Sequence, residues 1–301
     1  MNSIIPLFII FIPPILLAFN NTWNSRAMNG MFQSVAATYF YANLSVMLFS
    51  VPLLLIFGNI TFIPTDIFML VLLEVGLSII AIVTYYHAIR LVDASVSQAL
   101  YGAGAAAIPF LAMWIWGENI GWIGILGFLL IIASGVAASV DNLKQPRLNR
   151  GFFMILAVAA LFNMSLLLEK TVVSVVGWSN SAFYHELIFV AVMPIFLSIP
   201  GLRRAAVTSL PAYKKNFPLF MVYGLFGAIA LMTSHYVIGE VPLALKEGIA
   251  GTQPFFIMVF AWIFARFGIS GAKEEFSKKK IIQKSVFFLT MLIGLIMLLH
   301  S

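Results

Sequence analysis

Eight ionisable residues fall inside otherwise apolar stretches of this sequence: Glu74, Glu169, Lys170, His185, Glu186, His235, Lys246 and Glu247. Placing an ionised group in hydrocarbon costs roughly 2.5–3.5 kcal/mol or more, so such groups are kept for function or for buried pairing. Lys246 and Glu247 are neighbours in sequence, and neighbours on a helix point about 100° apart. At least one of the two must therefore face a cavity. A lysine there can hold an anionic group, while Glu247 or Glu186 can hold a cationic group or a proton. Glu74 is the clear case in the first half of the chain, near mid-membrane. Glu74, Glu186 and Glu247 are accordingly the candidates for proton coupling. Glu169, Lys170 and Glu240 read as interfacial residues whose charged heads reach back to water.

Neutral polar residues accompany these charges. Gln98 and Tyr101 lie one helical turn apart, and Gln253, Asn163, Asn20 and Asn43 are amides at mid-depth. Each can contact a polar solute or bond between helices, and the residues alone leave both roles open. His185-Glu186 begins like a zinc-protease motif, but the second histidine would fall at position 189, which is Phe189. The sequence offers no phosphate-cradling glycine loop, nucleophile elbow or metal-ligand spacing. No catalytic residue, metal or cofactor is expected, and an intramembrane enzyme has little support.

These residues must be positioned by helices in lipid. The 301 residues are 62% hydrophobic and 9% charged, with a mean hydropathy of +1.03. A soluble domain carries roughly a quarter of its residues as charges. Ten apolar runs stand out, at about 3–20, 34–57, 65–90, 94–116, 120–140, 151–173, 180–200, 217–239, 242–267 and 282–300. In hydrocarbon the backbone must satisfy its own hydrogen bonds, so each run is expected to be a transmembrane helix. Pro13, Pro14, Pro109, Pro194 and Pro254 should kink their helices. The first run lacks a basic leader and a small-residue cleavage site and is read as a retained helix. With no cysteine, disulfides and thiolate metal sites are excluded.

Charge sets the expected topology. Fifteen of the 17 Lys and Arg residues follow odd-numbered runs: Arg26, Arg90, Lys144, Arg147, Arg150, Arg203, Arg204, Lys214, Lys215, Arg266, Lys273, Lys278, Lys279, Lys280 and Lys284. By the positive-inside rule these loops are cytoplasmic, so both termini are expected outside a cytoplasmic or inner membrane. The net charge of +6 then reports topology and lipid contact, with no nucleic-acid partner implied.

The sequence also repeats. Phe19-Asn20 recurs as Phe162-Asn163, and Phe40-Tyr41-x-x-Leu44 as Phe183-Tyr184-x-x-Leu187, both 143 residues on. Thr84 to Ser97 aligns with Thr233 to Lys246 at a spacing of 149. The expected fold is all-α integral membrane, with ten helices in two five-helix repeats, residues 1–143 and 150–301. Because five is odd, the second repeat enters the membrane inverted, as in many secondary transporters.

Residues 89–119 carry Arg90 and Asp93 at one end, Glu118 at the other, and glycines and alanines between. Small residues let this helix approach its neighbours closely, for packing or to leave room for a solute. The run Tyr86-His87-Ala88-Ile89-Arg90-Leu91-Val92-Asp93-Ala94-Ser95, with Gly117-Glu118 following, resembles the drug/metabolite transporter superfamily in its ten-helix EamA-like branch. The likeness covers nearly the whole chain. Pro254 falls where that pattern expects it. In the first half the corresponding position is Ala105, and Pro109 comes one turn later. In the second half the Gly-Glu is replaced by GISGAKEEFSKKK. The resemblance implies cytoplasmic termini, opposite to the charge reading. Glu118 itself is expected to be structural, favoured by the dipole of the helix that follows it.

Together these features lead us to expect a secondary transporter, monomeric or homodimeric, that moves a small polar solute by alternating access. The solute is expected to be zwitterionic or amino-acid-like, with protons as the coupling ion. The fourth and ninth helices, with parts of the first, third, sixth and eighth, should line its cavity. The rival reading is a membrane scaffold or sensor that keeps the fold without transporting.

Overall fold

The computed structural model describes residues 8–32, 34–91, 107–118, 120–139, 150–267 and 278–300. The described residues are helical and contain no strand. Helix α1 (Ile12–Arg26) continues into a π-helical turn (Ala27–Met31) and is followed by α2 (Val35–Phe57) and α3 (Thr65–Ala88). Next come α4 (Ile108–Trp116), α5 (Trp122–Ser139), α6 (Arg150–Val176) and α7 (Trp178–Ser198). The chain ends with α8 (Pro200–Lys215), α9 (Phe217–Glu240), α10 (Leu243–Ala250), α11 (Gln253–Arg266) and α12 (Lys278–Leu299).

Six helical stretches among the described residues are long and apolar enough to cross a membrane: α2, α3, α6, α7, α9, and α10 continued through α11. Polarity is distributed as lipid demands. Large apolar side chains such as Phe62, Trp114 and Trp122 face outward, while Glu74, Glu186, His235 and Glu247 are each 3–4% exposed. The protein is a multi-pass helical membrane protein, with its polar groups turned inward because only there do they find partners.

The helices pair closely: α5 with α12, α3 with α6, α9 with α2 and α1, and α1 with α11. Glycine permits two of these approaches. A Cβ on Gly224 of α9 would collide with the Ser45 carbonyl of α2. Gly127 of α5 and Gly294 of α12 face each other, and a Cβ on Gly294 would lie 2.7 Å from the Gly127 carbonyl oxygen.

Two elements differ from the sequence expectation. Residues 200–215, read as a loop, form the helix α8. Its buried residues Ala206 and Tyr213 are seven apart and so share one face, while Arg203, Arg204, Lys214 and Lys215 are exposed. That pattern is an amphipathic helix too polar to span. It docks on α2 through Tyr41, whose hydroxyl donates to the Ala206 carbonyl (2.7 Å) and whose ring stacks on Tyr213 at 4.3 Å. At Pro254 the expected kink is an interruption of the helix: α10 ends at Ala250, Gly251 and Thr252 form a turn that stays in the right-handed helical region, and α11 begins with Pro254 in its first turn. Proline lacks the amide hydrogen a continuous helix needs there and is well suited to a helix start.

Candidate functional site

Helices α1, α2, α3, α6, α7, α9, α10 and α11 line a cavity of about 400 Å³. Spans two and seven were not among the helices expected to form the wall, although Asn43 and Glu186 were among the candidate residues; they supply Asn43 and Val46, and His185, Glu186 and Phe189. Residues 92–106, which hold Gln98 and Tyr101, lie outside the described residues.

One end of the cavity is charged. Glu74 Oε2 meets His185 Nδ1 at 3.0 Å, and Glu74 Oε1 accepts from Ser165 (2.8 Å) and Ser78 (3.3 Å). Glu186 accepts from Ser50 at 2.6 Å. Lys246 donates to Glu247 Oε1 at 2.8 Å. His235 lies 3.3 Å from Glu169 Oε1, and its ring centroid is 5.5 Å from that of His185. The sequence reading placed Glu74 near mid-membrane and Glu169 and Lys170 at the interface. The structure joins Glu74 directly to His185, because α3 packs on α6 and α7 at that level.

The other end is aromatic and amide-bearing, with Asn20, Asn24, Tyr86 and Tyr223. Tyr223 and His235 are twelve residues apart on α9, so the two ends are separated by ~18 Å along that helix. Asn20 sits beside Gly227, where a Cβ would come within 3.0 Å of the Asn20 amide nitrogen. The missing side chain at Gly227 lets α9 come close to α1 and α2 at this end, since a Cβ there would also lie 2.6 Å from Val46.

Of the residues singled out in the sequence, Asn20, Asn43, Glu74, Glu186, Lys246, Glu247 and Gln253 line the cavity. Asn163 is buried on α6 but is not part of the wall. Glu169 and Lys170, read as interfacial, are both drawn inward, with side chains 13% and 15% exposed. Their adjacent positions send them to different partners. Glu169 faces the cavity with Phe162 and Ser165, at helical spacings that were visible in the sequence. Lys170 reaches the end of α9, donating to the Ile238 carbonyl at 2.9 Å. Glu240 is exposed, as expected.

Glu118 is structural but serves a different helix from the one expected. Gly117 takes a left-handed conformation (φ 65°) that ends α4 and turns the chain away. Both Glu118 oxygens then accept from the Leu243 amide at the start of α10, and Lys170 lies 3.3 Å away.

Among the described residues no group of three His, Asp or Glu side chains is disposed to hold a metal ion. The side chains that line the site offer ion pairing, proton transfer and amide or phenol hydrogen bonding. No family model matches the chain, and no curated protein does. A protein of known crystal structure has a similar fold, with a TM-score of 0.65 over 99% of this chain and 96% of that chain. At 12% identity the likeness bears on the fold alone.

Proposed function

We propose that this protein is a secondary transporter that moves a small, polar, zwitterionic or amino-acid-like metabolite by alternating access. The observation that carries the reading is a polar, mixed-charge cavity inside an apolar bundle, bordered by the interruption between α10 and α11. Discontinuous helices whose ends face a mid-membrane site are a recurrent transporter device. Lys246 offers a positive charge, Glu169 and Glu247 offer negative ones, and the asparagines and tyrosines suit a polar body. Glu74, Glu186 and Glu247 are the candidates for proton coupling.

The proposed architecture is ten helices in two inverted repeats related to the EamA-like branch. Helix packing supports it. The contact of α3 with α6 has its counterpart in α9 with α1, that of α2 with α9 in α7 with α3, and α5 meets α12. The 58–64 loop offers further support. Asn180, at the start of α7, bonds Thr61, while α8 follows the far end of this 21-residue helix. The two segments are thus ~30 Å apart along α7, as inversion requires. Aromatic packing of Trp23, Tyr213, Phe220 and Phe264 gathers the ends of α1, α8 and α11 on the α8 side, with Arg26, Lys214, Lys215 and Arg266 nearby in sequence. A basic face of this kind is the cytoplasmic one under the positive-inside rule, with both termini opposite.

The test is flux in proteoliposomes after a thermal-shift screen against metabolite pools. Uphill uptake driven by a pH gradient, abolished by a Gly227→Trp plug in a folded protein, is the expected result. A protein that binds no solute, or whose flux ignores the plug, is not this transporter, and a solute bound without flux favours the sensor reading.

A further inference from the structure

Helix α8 joins the ends of two spanning helices and so lies at a membrane surface: α7 ends at Ser198 and α9 begins at Phe217. None of its residues lines the cavity. Its side chains fall into stripes. Leu202, Ala206, Ser209 and Tyr213, spaced four, three and four apart, form the stripe that docks. Leu202 and Ala206 belong to the apolar cluster that holds Met193 and Phe196 of α7, and Tyr213 stacks on Tyr41 of α2. One residue further on, Arg203, Val207, Leu210 and Lys214 form a second stripe, about 100° round the helix. All four are exposed, Val207 at 62% and Leu210 at 37%. Ile199 and Phe217 are exposed beyond either end. Arg204, Thr208 and Lys215, also exposed, lie on a third stripe.

An exposed apolar pair bracketed by cations suits the boundary between acyl chains and headgroups. There the apolar side chains bury, and the longer charged ones reach the phosphates. The charge is one-sided. Between Glu186 and Glu240 the sequence has four cations, Arg203, Arg204, Lys214 and Lys215, and no carboxylate. None of the four makes an ion pair among the described residues. A zwitterionic lipid surface supplies no net counter-charge for them, whereas an anionic one does.

We propose that the outer face of α8 is a binding site for anionic phospholipid, with Val207 and Leu210 among the acyl chains and the four cations on headgroup phosphates. Bound lipid holds α8 against the bundle, and the contact it secures is that of α2 with α9. The Tyr213 hydroxyl lies 3.3 Å from Ser45 Oγ, and the Ser45 carbonyl is the group that a Cβ on Gly224 would strike. Lipid at α8 thus steadies two helices of the cavity wall without entering the cavity. The site does not depend on which solute the protein moves, or on whether it moves one.

The experiment uses the full chain, which has no cysteine of its own, in nanodiscs of phosphatidylcholine alone or mixed with phosphatidylglycerol. Val207→Cys and Thr208→Cys, each carrying an environment-sensitive fluorophore, report the second and third stripes. In mixed discs, quenching of the label at 207 per brominated lipid should be stronger with bromine on phosphatidylglycerol than on phosphatidylcholine. The label at 208 should be more solvated and less quenched by either. Unlabelled protein should melt higher in mixed discs than in phosphatidylcholine, and inorganic phosphate should not substitute for the lipid. Attraction to an anionic surface is worth about fivefold in occupancy per cation. Arg203→Gln, Arg204→Gln, Lys214→Gln and Lys215→Gln together should therefore remove both the preference and the melting shift. Lys278→Gln, Lys279→Gln and Lys280→Gln together should leave the preference at 207 intact. Should the four-fold variant fail to fold, the brominated-lipid comparison with native charges still decides.

Equal quenching by the two brominated lipids overturns the proposal, as does a label at 207 as solvated as the one at 208. So does a melting shift that survives the four-fold replacement, or one that inorganic phosphate reproduces. Loss of the preference on replacing Lys278, Lys279 and Lys280 would assign it to general surface charge and overturn the site. A disulfide between two copies of unlabelled Val207→Cys protein in vesicles would put a second chain on the stripe and overturn it too. Flux without the lipid preference leaves the transporter reading standing and removes this site. The preference without flux does the reverse.

Discussion

Glu118 and Leu243 are 125 residues apart, and both carboxylate oxygens of Glu118 accept the Leu243 amide, at 3.0 and 2.8 Å. Lys170 completes the joint. It donates to the Ile238 carbonyl near the end of α9 and approaches Glu118 to 3.3 Å. A carbonyl near the end of α9 and the first amide of α10, which the helix ends leave without intrahelical partners, thus receive side chains of matching charge from α6 and from the turn after α4.

Glu118→Ala should therefore destabilise the protein by about 1–3 kcal/mol, the cost of a buried charge-assisted bond left unmade. Glu118→Gln should cost less. The double variant with Lys170→Met should lose less than the sum of the two single changes, because the residues share one joint. Thermal unfolding of purified protein measures all three.

Close approach of α2 and α9 yields a second prediction. Gly224→Val drives a side chain into the Ser45 carbonyl and should cost about 1–3 kcal/mol or prevent folding. Gly76 on α3 has open space around its missing side chain. Gly76→Ala should be neutral or mildly stabilising, within about 1 kcal/mol. Yield of monodisperse protein and its melting temperature distinguish the two.

The coupling candidates should not be equivalent. Glu74 is joined to His185 and two serines across three helices, whereas Glu186 is held by Ser50. Glu74→Gln should reduce proton-driven uptake at least tenfold, with Glu186→Gln milder. Replacing Glu74, Glu186 and Glu247 together should remove uphill uptake and its pH dependence. Uptake that survives the triple change with its pH profile intact removes these carboxylates from coupling.

Topology can be read with the chain's lack of native cysteine as an advantage. Single cysteines placed in 58–64 and in 208–213 should react with an impermeant thiol reagent from opposite faces of oriented vesicles. Labelling from one face would contradict the inverted arrangement.

The sequence by itself determined the class of solvent and the residues that lipid would not tolerate on the outside. Those are per-residue quantities: the cost of Glu74, Glu186, His235 or Glu247 in hydrocarbon depends little on which helix lies alongside. It also marked Pro254 as a point of disruption, since a missing amide hydrogen is local chemistry. The amphipathic spacing of Ala206 and Tyr213 was legible in α8, but the run was too short and polar to register as a span.

Tertiary structure decided the partners. Lys170 and Glu169 are adjacent, and in the sequence both look like interfacial charges. Only the placement of α9 and α10 gives one to a helix joint and the other to the cavity. Glu118 was read against the helix that follows it, until the left-handed turn at Gly117 sent it to α10. Pairings such as Glu74 with His185, and Ser50 with Glu186, join segments more than 100 residues apart. Hydropathy carries no information about such contacts, because they arise only when helices already formed choose their neighbours.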